Sequence, residues 1–173
     1  MRSPPLAADL AAIYDRDLRA LRRELEAYPE ERQIWQEVPG LPNSAGTLAL
    51  HLAGNLQHYI GAKVGGTDYV RNREAEFGRR GIPRVELLAE IERAREAVAS
   101  GLARVQQSTL EAEFPEVVVQ SRIRAGEYLI HLATHLAYHL GQVDCHRRVV
   151  TGQAGGVGAL RPTELGSAKV VTD

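Results

Sequence analysis

The segment His131-Leu132-Ala133-Thr134-His135-Leu136-Ala137-Tyr138-His139-Leu140-Gly141-Gln142 sets a histidine at every fourth position of what reads as one continuous helix. Each step of four residues advances a side chain by about 40° around an α-helix, so the three imidazoles lie on one stripe, successive ones a turn apart. Neighbours on such a stripe can grip one metal ion. The first and third lie two turns apart, too far to join comfortably in the same site, so a further ligand must come from another helix. A charge-poor stretch earlier in the chain offers His51, Asn55 and His58 at spacings of four and three, all within one arc. A buried imidazole there is costly unless something satisfies it, and either His51 or His58 could complete the site. Three neutral imidazoles leave coordination positions open for water or substrate, the arrangement of a catalytic rather than a structural metal. Imidazole nitrogen suits zinc, nickel, copper or iron, so the spacing does not choose among them.

Four long helical segments must position these residues. The first runs from about Leu6 to Tyr28, with Leu10, Ile13, Leu18, Leu21 and Leu25 as its apolar stripe, Pro4 and Pro5 at its start and Pro29 after its end. Arg19, Arg22 and Arg23, interleaved with glutamates, read as its solvated face. The connection from Glu30 to Pro42 holds the only tryptophan, Trp35, expected to be a packing anchor. The second helix opens at Asn43-Ser44, both good N-caps, and runs to Gly65-Gly66. A charged connection from Thr67 to Ile82 follows, a long loop with at most a turn of helix. Within it Tyr69 to Phe77 is expected to be solvated rather than to line a pocket. The third helix runs from Pro83 to about Val105 with Leu87, Leu88, Ile91, Ala94, Val98 and Leu102 inward. Gln106 to Arg124 includes Val117-Val118-Val119, a short extended run without a partner strand. The fourth helix, Ala125 to Val150, carries the histidine stripe, and residues 152–173 form a surface-draped or partly disordered tail. The fold class that follows is all-α, a four-helix bundle with long connections, in which ligand sites are built from inward side chains on facing helices.

Composition bounds what such a bundle does. At 173 residues, with 44% apolar and 25% charged residues, the chain fits one globular domain over residues 1–173. A formal charge of -1 without a basic run gives no reason to expect nucleic acid or an anionic membrane as partner. Met1-Arg2-Ser3-Pro4-Pro5 lacks an apolar leader, and no stretch reaches the roughly 18 uninterrupted apolar residues of a membrane helix. A soluble, cytoplasmic protein is expected. The single cysteine, Cys145, cannot form an intrachain disulfide. It lies about 120° off the histidine stripe, as a packing residue rather than a ligand or nucleophile. His146, like His58 and His131 taken singly, reads as an ordinary surface or core histidine. Glu-x-x-His, His-Glu-x-x-His, Gly-x-Ser-x-Gly, a phosphate loop and a dinucleotide fingerprint are all absent from the sequence. Carboxylate-bridged di-iron chemistry, serine-nucleophile hydrolysis, kinase chemistry and nicotinamide redox chemistry thus have no motif to rest on.

Two stretches carry a family resemblance. Asn43-Ser44-Ala45-Gly46-Thr47-Leu48-Ala49-Leu50-His51-Leu52-Ala53-Gly54-Asn55-Leu56, followed by Gly65-Gly66 and Arg71-Asn72-Arg73-Glu74-Ala75-Glu76-Phe77, resembles one subfamily of the DinB/YfiT-like metalloenzymes. His135-Leu136-Ala137-Tyr138-His139-Leu140-Gly141-Gln142 is similar to that superfamily's His-x-x-x-His-x-Gly-Gln ending. The resemblance implies a four-helix bundle, often homodimeric, with a divalent metal, zinc or nickel first, held by His51, His135 and His139. It places His131 in the pocket or behind the ligands, together with Asn55, His58 and Gln142. Gln142 is expected to orient a ligand or cap the site, and Gly141 to permit close helix approach. Relatives include S-transferases that use low-molecular-weight thiols. The implied function is therefore a metal-dependent thiol transferase acting on a small-molecule substrate, with such a thiol as cosubstrate and no general base assigned. A metal-dependent hydrolase is the enzymatic alternative. A non-catalytic metal-binding or stress-response protein is the third reading, and it predicts a site closed by protein ligands.

Overall fold

A computed structural model describes residues 4–169 and 171. The opening residues 1–3 and, from the tail, residues 170, 172 and 173 lie outside the described residues. Helix α1, Pro5–Glu26, starts on Pro4 in an extended conformation with a proline at its first position, where the missing N–H would have had no partner. Leu10, Tyr14, Leu18, Leu21 and Leu25, spaced by threes and fours, form its buried face. After a 3₁₀ turn at Glu31–Trp35, Ser44 caps α2, Ala45–Leu56, by accepting from Thr47 N at 3.2 Å. Trp35 anchors this connection: its indole N–H donates to Ile82 O at 3.1 Å, and its ring lies on Gly46, where a Cβ would stand 2.7 Å away.

All twelve residues of α2 are buried, as an apolar helix in the middle of a bundle should be. The helix continues as a π-helical turn, Gln57–Ala62, with wide bonds from Lys63 N to His58 O and from Gly65 N to Ile60 O. The 3.6-residue period used to trace this helix from sequence does not hold there. The short α3, Arg73–Gly78, is capped by Asn72 accepting from Ala75 N at 2.9 Å. Helices α4, Arg84–Ala103, and α5, Gln107–Glu111, follow. The extended run around Val118 pairs only locally, Val118 with Ser121, through a tight turn in which Val119 and Gln120 have φ of 45° and 61°. No strand forms among the described residues. Helix α6, Ala125–Thr151, ends on Gly152 in the left-handed conformation, φ 69°.

The long helices α1, α2, α4 and α6 make the all-α bundle: α1 and α2 each pack on both α4 and α6, and the core fills the space between. The π turn crosses α4 closely. A Cβ on Gly101 would lie 2.7 Å from Ile60 O, and one on Gly65 would lie 2.9 Å from the Gly101 Cα, so only glycines fit. A charged seam joins α1 to α6: Arg147, 1% exposed, donates to Glu24, 0% exposed, at 2.5 Å and to Asp144 at 3.0 Å. The tail drapes over this seam. Arg147 donates to Gly155 O, and Arg23 donates to Val157 O, Gly158 O and Glu164, so Arg23 is a tail anchor rather than part of a solvated face. Arg19 also reaches Glu164. No helix is long and apolar enough to cross a membrane among the described residues.

Candidate metal centre

Two helices bring three histidines together. On α6, residues four apart share a face, so His135 and His139 project towards α2 with ring centroids 4.5 Å apart. On α2, His51 faces them at 5.2 and 5.4 Å, nearly perpendicular to both rings. One ring nitrogen from each of His51, His135 and His139 lies within 4.8 Å of the others, a group that could hold a metal ion. His51 Nε2 and His135 Nε2 are 3.4 Å apart. Two nitrogens on a tetrahedral zinc ion are separated by about 3.3 Å, so the donor set fits such an ion.

The rings are held from behind. Glu76, on α3 and 6% exposed, accepts the Nδ1–H of His51 at 3.1 Å. The same carboxylate accepts two bonds from Arg71, at 2.7 and 2.8 Å, and is fixed in plane by that fork. Gln142 Oε1 accepts the Nδ1–H of His139 at 2.6 Å. In both histidines the outer proton leaves Nε2 free to offer its lone pair inward, the arrangement by which a carboxylate or amide fixes a ligand's tautomer. Among the described residues, His135 Nδ1 is buried without a partner. Burial, then the neighbouring His139, His51, His131 and Arg71, brings the His135 pKa down to about 4. Burial also lowers His139, with His51 adding to it against the opposing bond to Gln142. Burial by itself would raise the Glu76 carboxyl, but the bonds from Arg71 and His51 outweigh it and hold the group below the usual carboxylate range. At neutral pH His135 and His139 are therefore neutral imidazoles, beside an ionised Glu76 carboxylate.

A cavity of about 390 Å³ opens on the three histidines. Asn55, one turn beyond His51, lines it, as does His131, which is exposed and stacks on Tyr128 at 5.7 Å without joining the converging nitrogens. Arg71, Arg73 and Phe77 line it too, and the Phe77 ring is 4.9 Å from that of His51. The charged connection expected to be solvated is thus a wall of the pocket, and it supplies the buried Glu76. His58 does not line the cavity. It lies in the π turn, off the arc of His51 and Asn55, and pairs with Glu116 at 3.1 Å. His146 is a buried core histidine: its Nε2–H donates to Gln36 O at 2.8 Å and its Nδ1 accepts from Tyr28 at 2.7 Å. Cys145 is exposed rather than packed. Gly141 meets nothing where its Cβ would be, so it permits no close approach.

At the site the close approach is at Gly54, whose missing Cβ leaves the space that the Glu76 carboxylate occupies. Glu76 and Arg71 are the functional residues that sequence reasoning missed. The usable signal was Gly54 itself, a glycine inside a helix otherwise built to be buried, which marks a close approach by another group.

The family model described as the DinB superfamily matches residues 13–143. No curated protein matches the chain, nor does any solved structure.

Proposed function

This chain belongs to the DinB superfamily, and on that footing we propose that it is a metal-dependent thiol S-transferase with His51, His135 and His139 as ligands to zinc or nickel. The observation that supports this reading is the cavity of about 390 Å³ opening directly on the three histidines. A purely structural metal is enclosed by protein ligands, whereas three imidazoles with space beside them leave room for substrate. His51, His135 and His139 would hold the ion, and its Lewis acidity would be what makes a thiol a competent nucleophile at neutral pH.

The chain's own residues do the rest. Glu76 and Gln142 keep the His51 and His139 Nε2 atoms unprotonated and aimed inward. Leu48, Phe77, Val118 and Leu132 give part of the cavity an apolar wall beside the histidines. In the transfer itself the thiol proton passes to solvent, a C–S bond forms, and the leaving group departs with the electron pair of the bond it loses.

Thiol conjugation to a chlorinated aromatic electrophile, followed by chloride release, tests the reading. Activity should vanish on chelation and return with zinc or nickel. Full activity in chelated, metal-free protein would refute it, and turnover of an ester without any thiol would point to hydrolysis instead.

A further inference from the structure

Helix α6 keeps one face out of the bundle, and that face is chemically unlike the rest of the surface. After Glu127 in the first turn, its exposed residues are Ile130, Thr134, Tyr138, Gly141, Cys145 and Val149, with His131 at the margin towards the cavity. At roughly 100° and 1.5 Å per residue the six fall within an arc of about 100° and form a strip about 28 Å long. None of them is charged. Helix α4, also at the surface, shows Glu86, Arg93 and Glu96 to solvent, as expected in a chain with 25% charged residues. Tyr138 is 67% exposed, Val149 58% and Ile130 46%. An aromatic ring at the centre of an uncharged strip is the composition of an interface core rather than of a solvated face.

Three features identify what covers the strip. The spacings along it, four, four, three, four and four, read the same in both directions. Two such helices related by a two-fold axis and running antiparallel therefore set Ile130 opposite the partner's Val149, Thr134 opposite the partner's Cys145 and Tyr138 opposite the partner's Gly141. Gly141 is otherwise unexplained: it weakens the middle of a 27-residue helix, and its own chain puts nothing within 4 Å of where a Cβ would stand. Facing a tyrosine, that gap receives a ring. The ends of the strip also carry opposite charges, Glu127 in the first turn of α6 and Arg148 in the last, the latter 40% exposed. Antiparallel pairing brings each near its opposite, whereas parallel pairing would set like against like.

We infer that this face of α6 is the contact between two copies of the chain, packed antiparallel about the point midway between Tyr138 and Gly141, with each Tyr138 ring seated on the partner's Gly141. The contact does not depend on the transferase reading, but it lies beside the metal centre, because the Tyr138 ring meets that of His139 edge-on at 5.3 Å. A strip of roughly 28 Å by 10 Å makes a small interface, so association in the micromolar range follows.

Sedimentation equilibrium together with mild thiol oxidation tests this. Wild type at about 100 μM should run at twice the 19.0 kDa chain mass and fall towards the single-chain mass on dilution. Gly141→Lys enters open space and replaces a poor helix former, so it should remain helical by circular dichroism and run as a single chain. Ile130→Glu, at the far end of the strip, takes its place should that variant fail to fold. The antiparallel register has its own readout. Two Cys145 residues would stand about 16 Å apart across the two-fold axis, too far for a disulfide, so diamide should leave wild type without one. Thr134→Cys places a thiol opposite the partner's Cys145 and should give a covalent dimer. Adding Cys145→Ser should abolish that dimer, because the two introduced thiols again lie about 16 Å apart. A wild type that stays a single chain at about 100 μM, or a dimer that Gly141→Lys leaves intact, would overturn the inference. So would a dimer without the Thr134→Cys cross-link, or one cross-linked through Cys145 alone.

Discussion

Replacing Glu76 by glutamine changes one atom and one charge, and the structure says why that should matter. One carboxylate oxygen, Oε2, accepts from His51 at 3.1 Å and from Arg71 Nη2 at 2.8 Å, and the other, Oε1, accepts from Arg71 Nε at 2.7 Å. A glutamine has one acceptor oxygen and one NH₂ group, so it cannot keep all three bonds. If the oxygen takes the place of Oε2, the NH₂ opposes the Arg71 Nε–H and the fork that fixes the acceptor is broken. If the NH₂ faces His51, Nδ1 must become the acceptor, the ring proton moves to Nε2, and the lone pair needed for a metal is lost. The first arrangement loosens the outer support of the ligand and the second removes it, a loss of about 10- to 100-fold in metal affinity, or about 1.4–2.7 kcal/mol. Competition for zinc between the metal-free protein and a chromophoric chelator measures this directly, with thermal melting in parallel. Glu76→Ala should weaken zinc binding by a similar factor but also lower stability by about 3 kcal/mol, since Arg71 would be left half-buried without its partner. A Glu76→Gln protein that binds zinc within about twofold of wild type would refute the reasoning that His51 is held for metal by this carboxylate.

Three further expectations follow from other contacts. In metal-free protein the lowered His135 pKa, about 4 against an unfolded value of about 6.5, means that the unfolded chain binds the proton first as pH falls. The stability difference between wild type and the non-titrating His135→Asn should therefore be constant above pH about 6.5 and shift against wild type on acidification, by up to about 1.4 kcal/mol per pH unit down to about 4. Urea unfolding at several pH values checks this, and a pH-independent difference would count against a buried neutral His135. Arg147→Met strands Glu24, which is 0% exposed, and should cost about 3–5 kcal/mol in chemical denaturation, with the Glu24→Leu/Arg147→Met pair recovering most of the loss. Gly54→Ala touches no proposed ligand, yet its Cβ would occupy the place of the Glu76 carboxylate. Zinc affinity should fall about tenfold, and an unchanged affinity would show that Glu76 can yield without cost.

Features whose cause is local could be read from the sequence. Ser44 capping α2, Gly152 ending α6 and the apolar stripe of α1 each depend on residues within one or two turns, so pattern alone located these elements to within a few residues. The stripe of histidines on α6 is legible for the same reason. What escaped depends on distance in the chain or on a broken period. Glu76 meets His51 from 25 residues away, and nothing in Arg73-Glu74-Ala75-Glu76 says which glutamate turns inward. His58 is drawn away from the site by Glu116, 58 residues on, a partner that the local pattern does not disclose. The charge-rich composition around Arg71 suggested solvent. There Arg71 and Glu76 satisfy each other, and that pairing is what lets Glu76 be buried against α2.

The π turn at Gln57–Ala62 also divides the second long helix into two segments that meet different neighbours. Upstream, the azimuth of His51 and Asn55 is dictated by the histidines of α6. Downstream, the azimuth of Ile60 and Gly65 is dictated by the glycine crossing with α4. An unbroken α-helix would rigidly tie these two angles together, so any drift in how α4 seats would rotate the imidazole. The wide turn takes up the mismatch, so the glycine crossing with α4 keeps its close contact while His51 keeps its own orientation.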